Sequence, residues 1–220
     1  MREDKPQKDS SPFKLALQYL RNLQAMQSAS NATTKYLSEN TMIYLFLAPG
    51  FEEIEALATV DVLRRCGLQV VMTAVSDELC VAGAHGMGVT ADANINESAP
   101  TAADALVLPG GMPGSLNLMQ CHRLRELLIS HAGEQGVTAA ICAAPFVLGE
   151  LGLLAGRAAT CYPGFEGKLK DALVRTDMVV EDGHFITGRG PAAAIDFAFT
   201  IAARFVAPET IAEVRSGMLF

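Results

Sequence analysis

From position 42 onward, short apolar runs alternate with longer segments whose apolar residues recur every three or four positions. The short runs read as buried strands and the longer segments as helices with one apolar face. Ile43 to Leu47 predicts the first strand. Glu53 to Cys66 predicts a helix, stopped by Gly67 just past its end. Leu68 to Val75 is a second strand, and the glycine-broken stretch Val81 to Thr90 is a β-hairpin. Ala105 to Leu108 is an apolar strand that runs into Pro109-Gly110-Gly111. Leu116 to Gln135 is helical with a break near Cys121, and Val137 to Ile141 is the strand before Cys142. A helix at Phe146 to Leu151 and a short strand at Ala158 to Thr160 follow. Met178 to Glu181 and His184 to Thr187 flank Asp182-Gly183, a two-residue hairpin signal. Pro191 to Phe205 and Ala207 to Gly217 are the last helices. Wholly apolar strands alternating with helices predict an α/β fold, a mostly parallel sheet covered on both faces. Sites in such folds gather at the carboxyl ends of the strands.

Residues 1–41 have a different pattern. Met1 to Ser11 is charged and polar and is expected to be disordered. Phe13, Ala16, Leu17, Leu20 and Leu23 recur at helical spacing, which predicts a short amphipathic helix. Ser28 to Asn40 is a polar linker. No apolar stretch has the form of a secretory signal, and Glu3, Asp4 and Asp9 argue against a transit peptide. The expected organisation is an N-terminal extension, 1–41, and one domain, 42–220.

Composition narrows the classes. Half of the 220 residues are hydrophobic and 19% are charged, which suits one sizeable core. There is no run of 18 apolar residues, so no membrane span is expected. The net charge is −7, and the basic residues are concentrated early. The first 41 positions hold six Lys/Arg against four Asp/Glu, and the rest hold 11 against 20. An acidic body argues against broad nucleic-acid binding. Five cysteines, an odd number without a CxxC pair, suit a reducing cytoplasm. No His/Cys cluster has metal-ligand spacing, so neither a metal nor another cofactor is expected.

The candidate chemistry centres on Cys142. It falls on the turn between an apolar strand and a helix that Pro145 opens. A thiol there faces free N–H groups and the helix dipole, so an acidic, outward-presented nucleophile is expected. A small buried side chain is the plainer reading of a free cysteine. Two other predicted strand ends should meet it. One is Ala48-Pro49-Gly50-Phe51-Glu52-Glu53-Ile54-Glu55, the other Pro109-Gly110-Gly111. Glycines let N–H groups approach an oxyanion, and a carboxylate beside a thiol can move a proton. Taken singly, the glycines also suit a plain turn and the glutamates the first turn of a helix.

Five motifs in order carry a resemblance. They are Leu47-Ala48-Pro49-Gly50-Phe51-Glu52-Glu53-Ile54-Glu55, Asp61-Val62-Leu63-Arg64-Arg65, Leu108-Pro109-Gly110-Gly111, Ala140-Ile141-Cys142-Ala143-Ala144-Pro145 and Gly188-Arg189-Gly190-Pro191. Over about four-fifths of its length the chain resembles the ThiJ/PfpI superfamily, in its DJ-one (parkinsonism-associated deglycase) branch. The resemblance implies a flavodoxin-like three-layer sandwich and a homodimer. It implies that Cys142 is the nucleophile and oxidisable thiol, and Glu55 its protonated acid partner. It implies that the N–H groups of Gly111 and Ala143 cradle an oxyanion or sulfinate, with Gly110, Tyr162, Arg65, His85, Gly190 and Pro191 at the pocket or dimer rim. Many relatives carry His-Pro where Tyr162-Pro163 stands, and a phenol is a poor base at neutral pH. His85 stands where animal members often have arginine. His122, His131 and His184 are expected at the surface. Ala143 after the cysteine disfavours a Cys-His peptidase dyad, and no downstream His-x-Glu pair supports an amidotransferase. The implied function is a cofactor-free glyoxalase or deglycase acting on small aldehydes such as methylglyoxal. The alternative is a redox sensor or oxidation-regulated chaperone in the stress response, using the same cysteine.

Overall fold

A computed structural model describes residues 41–97, 100–101 and 104–220. The expected helix at 13–26 and the linker before Thr41 lie outside the described residues. The main sheet has seven strands. Its core runs β11 (Phe185–Gly188), β7 (Val137–Ile141), β6 (Ala105–Leu108), β1 (Met42–Leu47) and β2 (Gln69–Ala74), all parallel. β5 (Ala93–Asn94) closes one edge in parallel, and β10 (Val179–Asp182) closes the other antiparallel to β11. β3 (Cys80–Ala82) and β4 (Gly88–Thr90) form the separate hairpin expected from the glycine pattern. β8 (Ala158–Ala159) pairs with β9 (Leu173–Val174), a partner with no clear sequence signal.

The two-residue period of the strands divides the core between the two faces. Ile43, Leu45, Leu47, Val107, Ala139, Ile141 and Ile186 point to one face. There they meet Ala56, Val60 and Leu63 of α1 (Glu53–Arg65) and Phe197, Ala198 and Ile201 of α5 (Ala194–Ala202). Phe46, Leu106, Leu108, Ala140 and Phe185 point to the other. They meet Leu118 of α2 (Gly114–Gln120), Leu124 and Leu128 of α3 (His122–Gly133), and Val147 and Leu148 of α4 (Pro145–Glu150). Every residue of β6 and β7 is buried, which is why β6 reads as an unbroken apolar run and β7 as one interrupted only by Thr138. A last helix, α6 (Pro208–Gly217), ends the chain. No helix among the described residues is long and apolar enough to cross a membrane.

The break expected near Cys121 is present: the 116–135 stretch is two helices, parted at Cys121, whose extended ψ of 108° ends the first. Two other expectations shift. The hairpin turn lies at Gly183-His184, one residue later than expected, because Asp182 pairs with Phe185. Asp182 is held in the strand by its side chain, whose Oδ2 accepts the Ala158 N–H at 2.8 Å. Gly183 takes the left-handed φ of 63° that such a turn needs. His131 is not at the surface. It is 4% exposed and packed over Gly136, where any Cβ would meet its ring at 2.2 Å.

Candidate active site

Three strand ends converge at the carboxyl edge of the sheet. β7 ends in Cys142, which is 8% exposed and has a φ of 64°. That left-handed conformation costs a non-glycine residue about 1–3 kcal/mol, so the surroundings must hold it. They do so through both backbone groups. Cys142 N–H donates to Gly188 O at 2.8 Å, and Cys142 O accepts the Tyr162 N–H at 2.7 Å. The strained elbow turns the thiol out of the strand line, toward α1.

The start of α1 supplies the carboxyl group. Glu52 is its N-cap, and its Oε2 accepts the Glu55 N–H at 2.7 Å. Capping by Glu52 sets the first turn so that Glu55, three residues on, points inward. Glu55 is 0% exposed. Its Oε2 accepts the Gly110 N–H at 2.7 Å, and Oε1 has no hydrogen-bond donor among the described residues. A buried oxygen without a donor favours the protonated carboxyl.

Gly110 is the spacer between the two groups. A Cβ there would lie 2.5 Å from Cys142 Cβ, 2.6 Å from Glu55 Oε2 and 2.8 Å from Ile141 O. Gly111 has a φ of 89°, and a Cβ on it would strike the backbone of residues 50–52 at 2.5–2.8 Å. Both glycines are therefore demanded by close approach, and the Gly110-Gly111 turn is more than a chain reversal. The N–H groups of Gly111 and Ala143 both serve the Cys142 sulfur.

The electrostatics revise the expectation of an acidic thiol. Burial, with a smaller contribution from the Glu52 charge, pushes the Glu55 carboxyl up to about 7, while the Cys142 thiol and the Gly110 N–H restrain the rise. Burial first, then the charge of Glu55, pushes the Cys142 thiol up to about 12, against the pull of the Gly111 and Ala143 N–H groups. The helix after the cysteine is only six residues long, so its dipole is too weak to reverse this. Between these two values the pair holds one proton. With that proton on Glu55, the sulfur is a thiolate facing two N–H donors.

Around this centre, Tyr162 is tied to Cys142 through its backbone and is 47% exposed. Gly190 lies beneath its ring, since a Cβ there would come within 3.3 Å of Tyr162 Cδ2. Pro191 opens the short 3-10 helix, Pro191–Ala193, that leads into α5. His85 lies beside the site rather than in it. Its N–H and Nδ1 contact the two oxygens of Glu53, each at 2.7 Å. Burial alone would raise the Glu53 carboxyl, but its bonds with His85, together with the backbone N–H groups of Glu53 itself and Met87, outweigh that and hold it below its usual value. The same pairing raises the His85 imidazole. Arg65 is not at the pocket. It sits ten residues beyond Glu55 on α1, about 15 Å along the helix, paired with Asp61 at 2.6 Å. Sequence reasoning had no specific role for Glu52 and Glu53, yet both are buried and bonded. Their signal was three glutamates within four positions, which a surface helix start would not need to bury.

Residues 41–204 match the model of the DJ-1/PfpI family. The chain belongs to this family. Among its relatives, Drosophila melanogaster protein dj-1beta is 36% identical over 80% of this chain and 95% of its own length. Arabidopsis thaliana protein DJ-1 homolog B is 33% identical over 95% of this chain, which spans only 47% of that relative. A protein named glutathione-independent glyoxalase in Caenorhabditis elegans is 36% identical over 72% of this chain and 84% of its own length. Among solved structures, a DJ-1 superfamily protein from Salmonella typhimurium aligns with a TM-score of 0.78 at 32% identity, covering 82% of this chain and 99% of that one. Drosophila DJ-1beta aligns with a TM-score of 0.77 at 34% identity, covering 82% and 98%. The sandwich described above is thus the DJ-1 fold, with the Cys142 elbow and Glu55 inside the matched span.

Proposed function

We propose that this protein is a cysteine-dependent, cofactor-free glyoxalase or deglycase acting on small reactive aldehydes. The observation that carries the reading is the proton-sharing pair Cys142 and Glu55, with the Gly111 and Ala143 N–H groups on the sulfur. The C. elegans relative named as a glyoxalase supports it. In the tautomer with Glu55 protonated, the Cys142 sulfur attacks the aldehyde carbon of methylglyoxal. A C–S bond forms, the carbonyl opens, and the Glu55 proton neutralises the new alkoxide as a hemithioacetal. Glu55 then takes the proton from the former aldehyde carbon and returns it to the neighbouring carbon, while the hydroxyl proton passes to the neighbouring oxygen, so that the former aldehyde carbon becomes a thioester carbonyl and the former ketone a hydroxyl. Water cleaves the thioester to lactate and restores the thiol. Tyr162 contributes a hydrogen-bond donor at the rim rather than a base. The catalytic groups are Cys142 and Glu55. The protein acts as a homodimer in the cytoplasm.

The test is methylglyoxal turnover without glutathione. Wild type should form lactate, and Cys142→Ala should form none. Equal rates would remove the proposal. A second reading rests on the same cradle. The Gly111 and Ala143 N–H groups would also hold a sulfinate on Cys142, as in an oxidation-regulated chaperone or redox sensor. A gain of two oxygens on Cys142 after mild peroxide, in a protein that turns over no aldehyde, would favour it.

A further inference from the structure

A cavity of about 340 Å³ opens at the amino end of the sheet, away from the Cys142 reaction. Its walls come from the end of α3, the turn after α4 and the start of β11. Phe185 pairs with Thr138 there, while Cys142 follows β7 at its far end. Four residue steps of about 3.3 Å separate the two places, roughly 13 Å of sheet. The volume falls among those of small-molecule sites, about 300–1,000 Å³.

The lining divides by chemistry. Ile129, Ala132 and Leu153 form an apolar wall, and Arg157 and His184 a cationic one. The Arg157 guanidinium stands over the Phe185 ring, 5.1 Å from its centre, which orients it. Gly183 gives it room, since a Cβ there would lie 2.7 Å from Nη1. Its ion-pair partner among the described residues is Asp182, whose Oδ1 lies 3.6 Å away, beyond hydrogen-bond reach. The other Asp182 oxygen accepts the Ala158 N–H at 2.8 Å. The guanidinium N–H groups thus donate to no oxygen among the described residues. His184 packs on the same ring, 4.2 Å between centres, and its Nε2 is buried without a hydrogen-bond partner among the described residues. Burial first, then the charges of Arg157, His131 and Arg204, hold its imidazole below the usual value. A wall that disfavours a second cation favours an anion, here in a chain of net charge −7. Gly133 and Gly152 keep the space open, since a Cβ on either would meet nothing within 4 Å.

We propose that this cavity binds a small organic carboxylate, held by the Arg157 guanidinium with its apolar tail against Ile129, Ala132 and Leu153. A planar guanidinium with free N–H groups matches a carboxylate, which accepts two parallel hydrogen bonds from it. The ligand also brings an acceptor to the wall that holds the unpartnered imidazole nitrogen. The apolar wall offers a bare phosphate ion nothing, so the ligand needs both charge and tail.

The experiment titrates the full chain with benzoate and follows the ring signals of the four histidines by NMR. His184 should shift saturably while His85 keeps its signal. Benzyl alcohol has the tail without the charge, and inorganic phosphate the charge without the tail. Each should bind at least about ten-fold more weakly than benzoate. Arg157→Gln should lose about ten-fold in affinity, and Arg157→Lys should recover only part of it, lacking the planar fork. Gly133→Leu places a side chain in open space at the last position of α3 and should abolish binding with the fold intact. Benzoate should raise the urea midpoint of wild type and leave that of Gly133→Leu unchanged, a readout independent of any activity. Cys142→Ala should bind as wild type does. The assignment is overturned by absence of a saturable His184 shift, or by undiminished binding in Gly133→Leu or Arg157→Gln. It is equally overturned if benzyl alcohol or phosphate matches benzoate, or if Cys142→Ala loses binding, which would place benzoate at the thiol.

Discussion

Glu55→Gln removes the only titration that the buried pair undergoes near neutral pH. The Glu55 carboxyl moves from an ordinary 4.5 to about 7 on folding, and the side chain is 0% exposed. Below pH 4.5 the group is protonated in both folded and unfolded chains, and the folded state bears no penalty. From there to about pH 7 the unfolded chain releases a proton that the folded chain keeps, so stability falls as pH rises. Above about 7 both states are ionised at this position and the loss stops. At 1.36 kcal/mol for each tenfold, the whole loss is about 3 kcal/mol. Roughly 2 kcal/mol of it falls between pH 5 and pH 8. Over that range the thiol, raised to about 12 in the folded state, does not titrate. The assay is urea denaturation of wild type and Glu55→Gln at both pH values. Taking the difference between the two proteins cancels the titrating groups that do not interact with Glu55. The advantage of wild type over Glu55→Gln should shrink by roughly 2 kcal/mol on going from pH 5 to pH 8. A difference that is constant, or grows with pH, would refute the buried, protonated carboxyl and with it the proton-sharing pair.

Alkylation of Cys142, read by peptide mass against pH, should rise with a midpoint near 7, when the pair loses its first proton; a midpoint unchanged in Glu55→Gln would deny the coupling. Gly110→Ala should lower stability by about 1–3 kcal/mol and abolish Cys142 alkylation, because its Cβ would enter the space of Cys142 and Glu55; normal reactivity in a folded variant would show that the spacing is not required. Arg65→Ala should change stability by less than about 1 kcal/mol and leave aldehyde turnover unchanged, since its partner Asp61 is an exposed neighbour on the same helix. Phe197→Ala, by contrast, should cost about 3–5 kcal/mol in denaturant melts, because the ring is fully buried between α5 and the sheet.

The alternation of apolar runs and helical repeats was enough to specify the layered sheet. β6 and β7 were legible to the residue because strands buried on both faces are almost wholly apolar, and the one polar position, Thr138, turns its hydroxyl to the Gly136 carbonyl. The Cys142 elbow was legible for a similar local reason, as an apolar strand running straight into small residues and a proline. The state of that thiol was not. Local sequence suggested a helix dipole acting on an open sulfur, whereas folding buried it against Glu55, in the first turn of a helix 87 positions away. The burial of His131 depended on Gly136 leaving room for its ring, a contact between a helix and the strand that follows it. The turn at Gly183-His184 was displaced by a side-chain bond from Asp182 to Ala158, outside any local turn rule. His85 and Glu53 met only because the β3–β4 hairpin folds back over α1. Periodicity and turn chemistry are properties of neighbours along the chain, so the sequence displays them directly. Proton affinity and ligand geometry depend on which distant groups share a dry space, and only tertiary packing decides that.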